Sequence, residues 1–188
     1  MIKKYLIYRW WILVILINIC HSSDIHHTNK NHFVSRFEVG GGIGYLIPRT
    51  KFSNTNTFSM TGLWKMSPTY GLRVTLLKSK LFYETGDSSI TFIQASPGIE
   101  ISLKSTEKVI GYTLLDIGFS SDEKDALFIF GIGMNYKINN DYSMKLELRD
   151  HHIGIGIPFM TFPNSQAGIR GEGGSKYLDL QLRLHYNL

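Results

Sequence analysis

The chain has 188 residues, a formal net charge of +5 and a single cysteine. This length allows one domain with a sizeable core, and the 18 Gly, 10 Tyr and 11 Phe favour a sheet over a helix bundle. The positive charge is modest and forms no Lys/Arg block, so the composition gives no argument for a nucleic-acid partner.

The first 22 residues have the organisation of a secretory signal peptide. Three basic residues precede a short apolar segment at 10–19, and small residues follow it. About ten apolar residues fall well short of the roughly 20 that a membrane-spanning helix needs. We therefore predict a signal peptide at 1–22 that is cleaved after Ser22, then a polar periplasmic spacer at 23–34.

Cys20 directly follows the apolar segment and raises the alternative of a lipoprotein. The bulky Ile19 before it fits a lipid-attachment motif poorly, whereas Cys20 and Ser22 fit the small-x-small pattern of ordinary cleavage. Ordinary cleavage removes Cys20 and leaves an exported chain that relies on no disulfide. The exact cleavage site and the lipidation of Cys20 stay open at this point.

From residue 35 to the end, apolar and polar residues alternate with a period of two, which is typical of β-strands. The eight predicted strands lie at about 36–47, 57–66, 70–76, 93–103, 109–119, 128–137, 142–152 and 178–188. Most have about ten residues, the length that a tilted transmembrane strand needs. The fifth strand is the least regular, because Ile110, Tyr112 and Leu114 interrupt its polar face.

Short and long connections alternate between these strands. The short ones are at 67–69, 105–108 and 139–141, and the long ones are at 48–55, 81–89, 120–125 and 151–175. This order is typical of an up-and-down barrel with short periplasmic turns and longer outer loops. We predict an all-β fold, an eight-stranded antiparallel up-and-down transmembrane β-barrel over 35–188, with both termini on the periplasmic side.

The segment 142–152, YSMKLELRDHH, raises the question of which strand face is inside. In a soluble barrel the apolar face would line the core, whereas in a membrane barrel the charged face would. The charges on the polar faces are balanced, with five positive and five negative side chains. We predict that they form a salt-bridge network that fills the lumen: Arg36, Glu38, Arg73, Glu100, Asp116, Lys145, Glu147, Arg149, Asp179 and Arg183.

Aromatic residues on the apolar faces cluster at both ends of the predicted strands. The predicted periplasmic girdle consists of Trp64, Tyr70, Tyr136, Tyr142 and Tyr186. The predicted outer girdle consists of Tyr45, Phe58, Phe92, Phe119 and Phe128. Alternation alone leaves a soluble, lipocalin-like periplasmic binder as an alternative, but the girdles, the charge balance and the signal peptide favour the membrane barrel.

The segment from Phe130 to His151, FGIGMNYKINNDYSMKLELRDH, resembles the small outer-membrane β-barrel domain proteins of Gram-negative bacteria. It is similar to a branch with a Gly-x-Gly strand, a turn and a penultimate strand ending in Arg-Asp-His. The last strand resembles the C-terminal signal that the barrel-assembly machinery binds, although Leu188 stands where that signal usually has an aromatic residue. The resemblance implies a location in the cell outer membrane and contact with outer-membrane lipid and lipopolysaccharide, but no reaction.

The polar cluster Arg149-Asp150-His151-His152 is the densest in the chain. Adjacent strand residues face opposite sides, so we expect no metal site, and nothing in the sequence indicates a cofactor. Some eight-stranded barrels are lipid A deacylases with a His-x-Ser pair at this place, whereas His152 is followed two residues later by Gly154. We therefore predict no catalytic residue and a structural or surface-interaction role, with a lipid A hydrolase as the alternative. The long apolar connection at 151–175 is a possible contact for a surface partner.

Overall fold

The computed structural model describes residues 36–49, 52–86, 88–106, 108–121, 126–153 and 174–188. The predicted signal peptide at 1–22, the spacer at 23–34, Cys20 and most of the last long connection lie outside these ranges. Within the described residues, no helix is long and apolar enough to cross a membrane.

Eight antiparallel strands form a single closed barrel. The strands are β1 (Arg36–Pro48), β2 (Thr55–Lys65), β3 (Tyr70–Phe82), β4 (Ser89–Ser105), β5 (Val109–Ser120), β6 (Leu127–Lys137), β7 (Tyr142–Ile153) and β8 (Gly174–Asn187). Each strand pairs with the next one along the chain, and β8 pairs with β1. The predicted fold class is therefore confirmed.

The two faces of the sheet differ sharply, as β3 shows most clearly. All its 13 residues alternate between exposed and buried. Arg73 and Thr75 are buried, whereas Val74 and Leu76 are exposed. The polar face is thus inside and the apolar face outside. This arrangement is the reverse of a lipocalin-like soluble barrel, which the structure therefore does not support.

In each of the three short connections, a polar side chain is hydrogen-bonded to the start of the next strand. The side chains of Ser67, Thr106 and Asn139 each accept a hydrogen bond from the backbone N–H of the first residue of the following strand, at 2.8, 3.1 and 2.7 Å. Ser, Thr and Asn commonly stabilise turns in this manner. The three turns lie at the same end of the barrel, which we call the short-turn end, and the opposite end is the long-loop end.

The irregular pattern of β5 has a structural explanation. Tyr112 and Leu114, which interrupt its polar face in the sequence, are buried inside the barrel. The Tyr112 hydroxyl donates a hydrogen bond of 2.9 Å to Glu147. Gly131 and Gly133 on β6 provide the space, because an added Cβ at either would clash with the Leu114 or Tyr112 side chain. These two apolar residues are therefore part of the lumen.

Inward-facing glycines on β1 make room for large side chains of β8. Gly40 pairs with His185, and Gly42 pairs with Arg183. A Cβ added at Gly40 would lie 2.5 Å from the His185 ring, and one added at Gly42 would lie 2.6 Å from Cγ of Arg183. Glycine is needed at both positions because of this close approach.

Candidate functional site in the barrel lumen

The lumen near the short-turn end contains a lysine between two glutamates. Lys145 Nζ lies 3.0 and 3.1 Å from the two carboxylate oxygens of Glu100 and 3.3 Å from Glu38. Lys65 lies 3.3 Å from the other oxygen of Glu38 and keeps 15% of its side chain exposed. The Tyr112 ring lies 5.3 Å from Lys145 Nζ. This layer therefore joins buried charges to the edge of the barrel.

Glu147 is the centre of the middle layer. The Arg73 guanidinium donates to both of its oxygens, at 3.1 and 3.2 Å, and Arg183 and Tyr112 donate to them as well. Asp116 lies 3.6 Å from Nε of Arg73 and accepts no hydrogen bond from a described residue. Glu147 thus pairs with two buried guanidinium groups, and Glu147 and Asp116 together supply the two negative charges that balance them.

The upper layer is built around Asp179. Arg149 donates to one carboxylate oxygen from Nε at 2.9 Å and from a terminal nitrogen, and Gln181 donates to the other at 2.6 Å. His151 lies 3.8 Å from Asp179 and bonds Gln94 through its other ring nitrogen at 3.2 Å. Side chains of three strands, β4, β7 and β8, therefore meet at this level.

An apolar cluster closes the lumen toward the long-loop end, and we call it the apolar plug. Its buried members toward this end are Leu46, Phe52, Leu77, Leu81, Phe92, Leu127, Ile129 and Tyr177, and the same cluster includes Tyr112 and Leu114 of β5. The rings of Phe92 and Tyr177 pack with their centroids 5.3 Å apart. Sequence reasoning missed this plug and placed Phe92 in the outer girdle, which is wrong. Phe92 has the same parity as the inward Gln94 on β4, and this signal would have identified it.

Nine of the ten side chains predicted to form the lumenal network are buried inside the barrel. The exception is Arg36, which is exposed because it is the first residue of β1 and lies at the rim. Lys65, which the prediction left out, is the residue that pairs with Glu38. When Lys65 replaces Arg36, the network has five acidic and five basic side chains. These ten side chains therefore balance each other in formal charge, with the histidines counted as neutral.

The five aromatic residues predicted at the periplasmic boundary lie on the outer surface of the barrel, near the short-turn end. Trp64, Tyr70, Tyr136, Tyr142 and Tyr186 all face outward and are 39 to 42% exposed. Tyr142 and Tyr186 pack with their centroids 5.2 Å apart. Amphipathic rings at one level of an apolar surface are typical of a membrane–water boundary.

The Arg149–His152 cluster is divided between the two faces of β7. Arg149 and His151 face the lumen, whereas His152 Nε2 lies 2.9 Å from Asp150 on the other face. Both Asp150 and His152 are buried, unlike the outward residues Met144 and Leu146 of the same strand. No group of three potential metal ligands comes together in the part of the chain that the structure describes.

This architecture is that of a small transmembrane β-barrel, and similar solved structures belong to the same class. A designed transmembrane β-barrel has a TM-score of 0.55 and 13% identity, over 81% of this chain and 95% of that one. The N-terminal β-barrel domain of Pseudomonas aeruginosa OprF has a TM-score of 0.52 and 10% identity, over 82% and 97%. Yersinia pestis Ail in a phospholipid nanodisc has a TM-score of 0.50 and 13% identity, over 82% and 100%.

At these identities the similarity shows the fold alone, which is the eight-stranded outer-membrane β-barrel fold. It agrees with the predicted location in the cell outer membrane. No family model matches the chain, and no curated protein matches it. The branch with Arg-Asp-His at the end of the penultimate strand is therefore still a prediction.

Proposed function

We propose that this chain is an outer-membrane β-barrel protein with a structural or surface-interaction role and a lumen closed by side chains. The strict alternation of β3 is the observation that carries the proposal. Arg73 is 2% exposed, while the neighbouring Val74 is 50% exposed. Charged side chains need partners inside, and an exterior with a wide apolar band needs lipid outside, so a bilayer satisfies both faces.

The proposed orientation places the short-turn end in the periplasm and the long loops outside the cell. Short turns at the periplasmic end are the usual arrangement in bacterial barrels. In this orientation the exterior contacts outer-membrane lipid and lipopolysaccharide, and β8 is the strand that the barrel-assembly machinery would bind. The connection between β7 and β8, at 154–173, would then offer the surface for a partner. The Arg-Asp-His branch remains the family to which we assign the chain.

Fractionation of cells that express the full chain tests this proposal. We expect the protein in the outer-membrane fraction, with a gel mobility that shifts on boiling because a closed barrel resists detergent. We also expect no steady conductance in a planar lipid bilayer, because three layers of charge and the apolar plug fill the lumen. Recovery as a soluble periplasmic protein without a mobility shift would contradict the proposal.

The pair of Asp150 and His152 supports a second candidate function, a lipid A acyl hydrolase. The two side chains lie on the outward face at 2.9 Å from each other, and an acid that orients a histidine is one part of a hydrolytic triad. The residue at the nucleophile position, Gly154, lies outside the described ranges.

Hydrolysis of labelled lipopolysaccharide by the purified barrel separates the two candidate functions. We expect no release of acyl chains above the rate in a protein-free control, because glycine supplies no nucleophile. Release that is lost in His152→Ala and retained in a His185→Ala control would favour the hydrolase instead, since His185 faces the lumen.

A further inference from the structure

Two lysines interrupt the apolar outer surface of β3 near the long-loop end. The outward residues of this strand, in order, are Tyr70, Leu72, Val74, Leu76, Lys78, Lys80 and Phe82. Lys78 and Lys80 are exposed on the same face, about 7 Å apart along the strand. Beyond Leu76, the outward face of β3 therefore presents a pair of positive charges before Phe82.

The distance of the two lysines from the boundary aromatics, along the barrel axis, is close to the thickness of the apolar band of a membrane barrel. Tyr70 and Lys78 are eight residues apart, which is roughly 27 Å along the strand and about 20 Å along the barrel axis at the usual tilt. The apolar band of such barrels is about 25 Å tall. Lys78 thus lies near the outer boundary of this band, within reach of lipid headgroups.

The neighbours of the two lysines are apolar or neutral. Lys78 pairs with Phe58 on β2 and with Ile93 on β4, and both of these side chains are exposed. Lys80 pairs with Thr91, and its Nζ lies 5.3 Å from the ring centre of Phe82. Their side chains form no ion pair with any residue in the described ranges, in contrast to the paired cations of the lumen.

We propose that Lys78 and Lys80 bind a phosphate group of lipopolysaccharide in the outer leaflet, with its acyl chains against Phe58, Leu76 and Ile93. This inference rests on the proposed function, because it takes the long-loop end as the external one. Two ammonium groups beside an exposed apolar surface match the chemistry of a phosphorylated glycolipid, which has negative charge directly above its acyl chains.

The binding of diphosphorylated lipid A to the purified, folded full chain tests this inference by native mass spectrometry. We expect the double variant Lys78→Gln/Lys80→Gln to bind roughly 30-fold more weakly, from the usual contribution of two lysines near a charged membrane surface. The matched control is Lys108→Gln/Lys137→Gln, which removes the same charge from exposed positions at the short-turn end and should bind as the unchanged protein does.

Two further compounds, one lipid and one inorganic ion, identify the source of the phosphate. Dephosphorylated lipid A should bind the unchanged protein as weakly as diphosphorylated lipid A binds the double variant, and millimolar inorganic phosphate should not displace the intact lipid. Equal binding by the double variant, or an equal loss in the control variant, would overturn the inference.

The heat-dependent gel mobility of each variant separates the two proposals. If the double variant folds, fractionates with the outer membrane and binds lipid A as the unchanged protein does, only the lipid site is contradicted. A chain that is soluble in the periplasm contradicts the proposed function and the lipid site with it.

Discussion

Glu147→Ala is expected to destabilise the folded barrel by about 3 kcal/mol or more, since it leaves buried charges without their partner. The substitution removes the acceptor of hydrogen bonds from Arg73, Arg183 and Tyr112. The two guanidinium groups then repel each other inside a lumen that excludes bulk water. Urea titration of barrels folded in lipid vesicles, followed by tryptophan fluorescence, measures this change in the free energy of unfolding.

Glu38→Ala is the matched control, because it removes the same type of side chain from the edge of the network. Glu38 pairs with Lys65, which is partly exposed, and Lys145 retains Glu100 as a second partner. Water and the remaining carboxylate replace the lost charge, so we expect a smaller effect, about 1 kcal/mol. An equal effect of the two substitutions would show that the central position of Glu147 has no special importance.

The sequence predicted the faces of the strands well because alternation is a local property. On β7, residues 144, 146 and 148 face out while Lys145, Glu147 and Arg149 face in, and each assignment needs only the neighbouring residues. The alternation of short and long connections then determined the order of the strands. The residue alternation and the connection lengths can both be identified without knowing which side chains meet in the barrel.

The partners inside the lumen depend on the register of the whole barrel, which no local pattern contains. Arg73 and Glu147 are 74 residues apart, and their contact follows from the register of every strand pair between them. The apolar plug was missed for a related reason. Its members, such as Leu77 and Phe92, lie on faces that are otherwise polar. Leu77 lies beyond the predicted end of the third strand at residue 76, and Phe92 was assigned to the outer girdle.

Arg36 and Lys65 show that burial at a strand end depends on the position along the strand as well as on the face. Both are at strand ends on the polar face, and they pair across β1 and β2. The prediction retained Arg36 and omitted Lys65, whereas the structure buries most of Lys65 against Glu38 and exposes Arg36. At the rim, side-chain direction and strand tilt determine which charge reaches the lumen, and neither is visible in a sequence.

Leu146→Arg is expected to destabilise the barrel in lipid by about 2–4 kcal/mol, the cost of a charge on the lipid face near the bilayer midplane. Leu146 faces outward on β7 between Met134 and Leu182, four residues along the strand from the boundary residue Tyr142. The free energy of unfolding in vesicles of a short-chain phosphatidylcholine measures the effect. Met66→Arg is the control, because this exposed residue lies in a short turn at the membrane boundary, where the same charge costs about 0–1 kcal/mol.

The difference between these two variants depends on the solvent that surrounds the barrel. In water, an arginine on an exposed face is well solvated, so Leu146→Arg and Met66→Arg would have similar, small effects. In lipid, only the boundary position allows the guanidinium to reach water. A large effect at Leu146 with a small one at Met66 therefore identifies the apolar face of β7 as the lipid face, independently of how the lumenal charges pair.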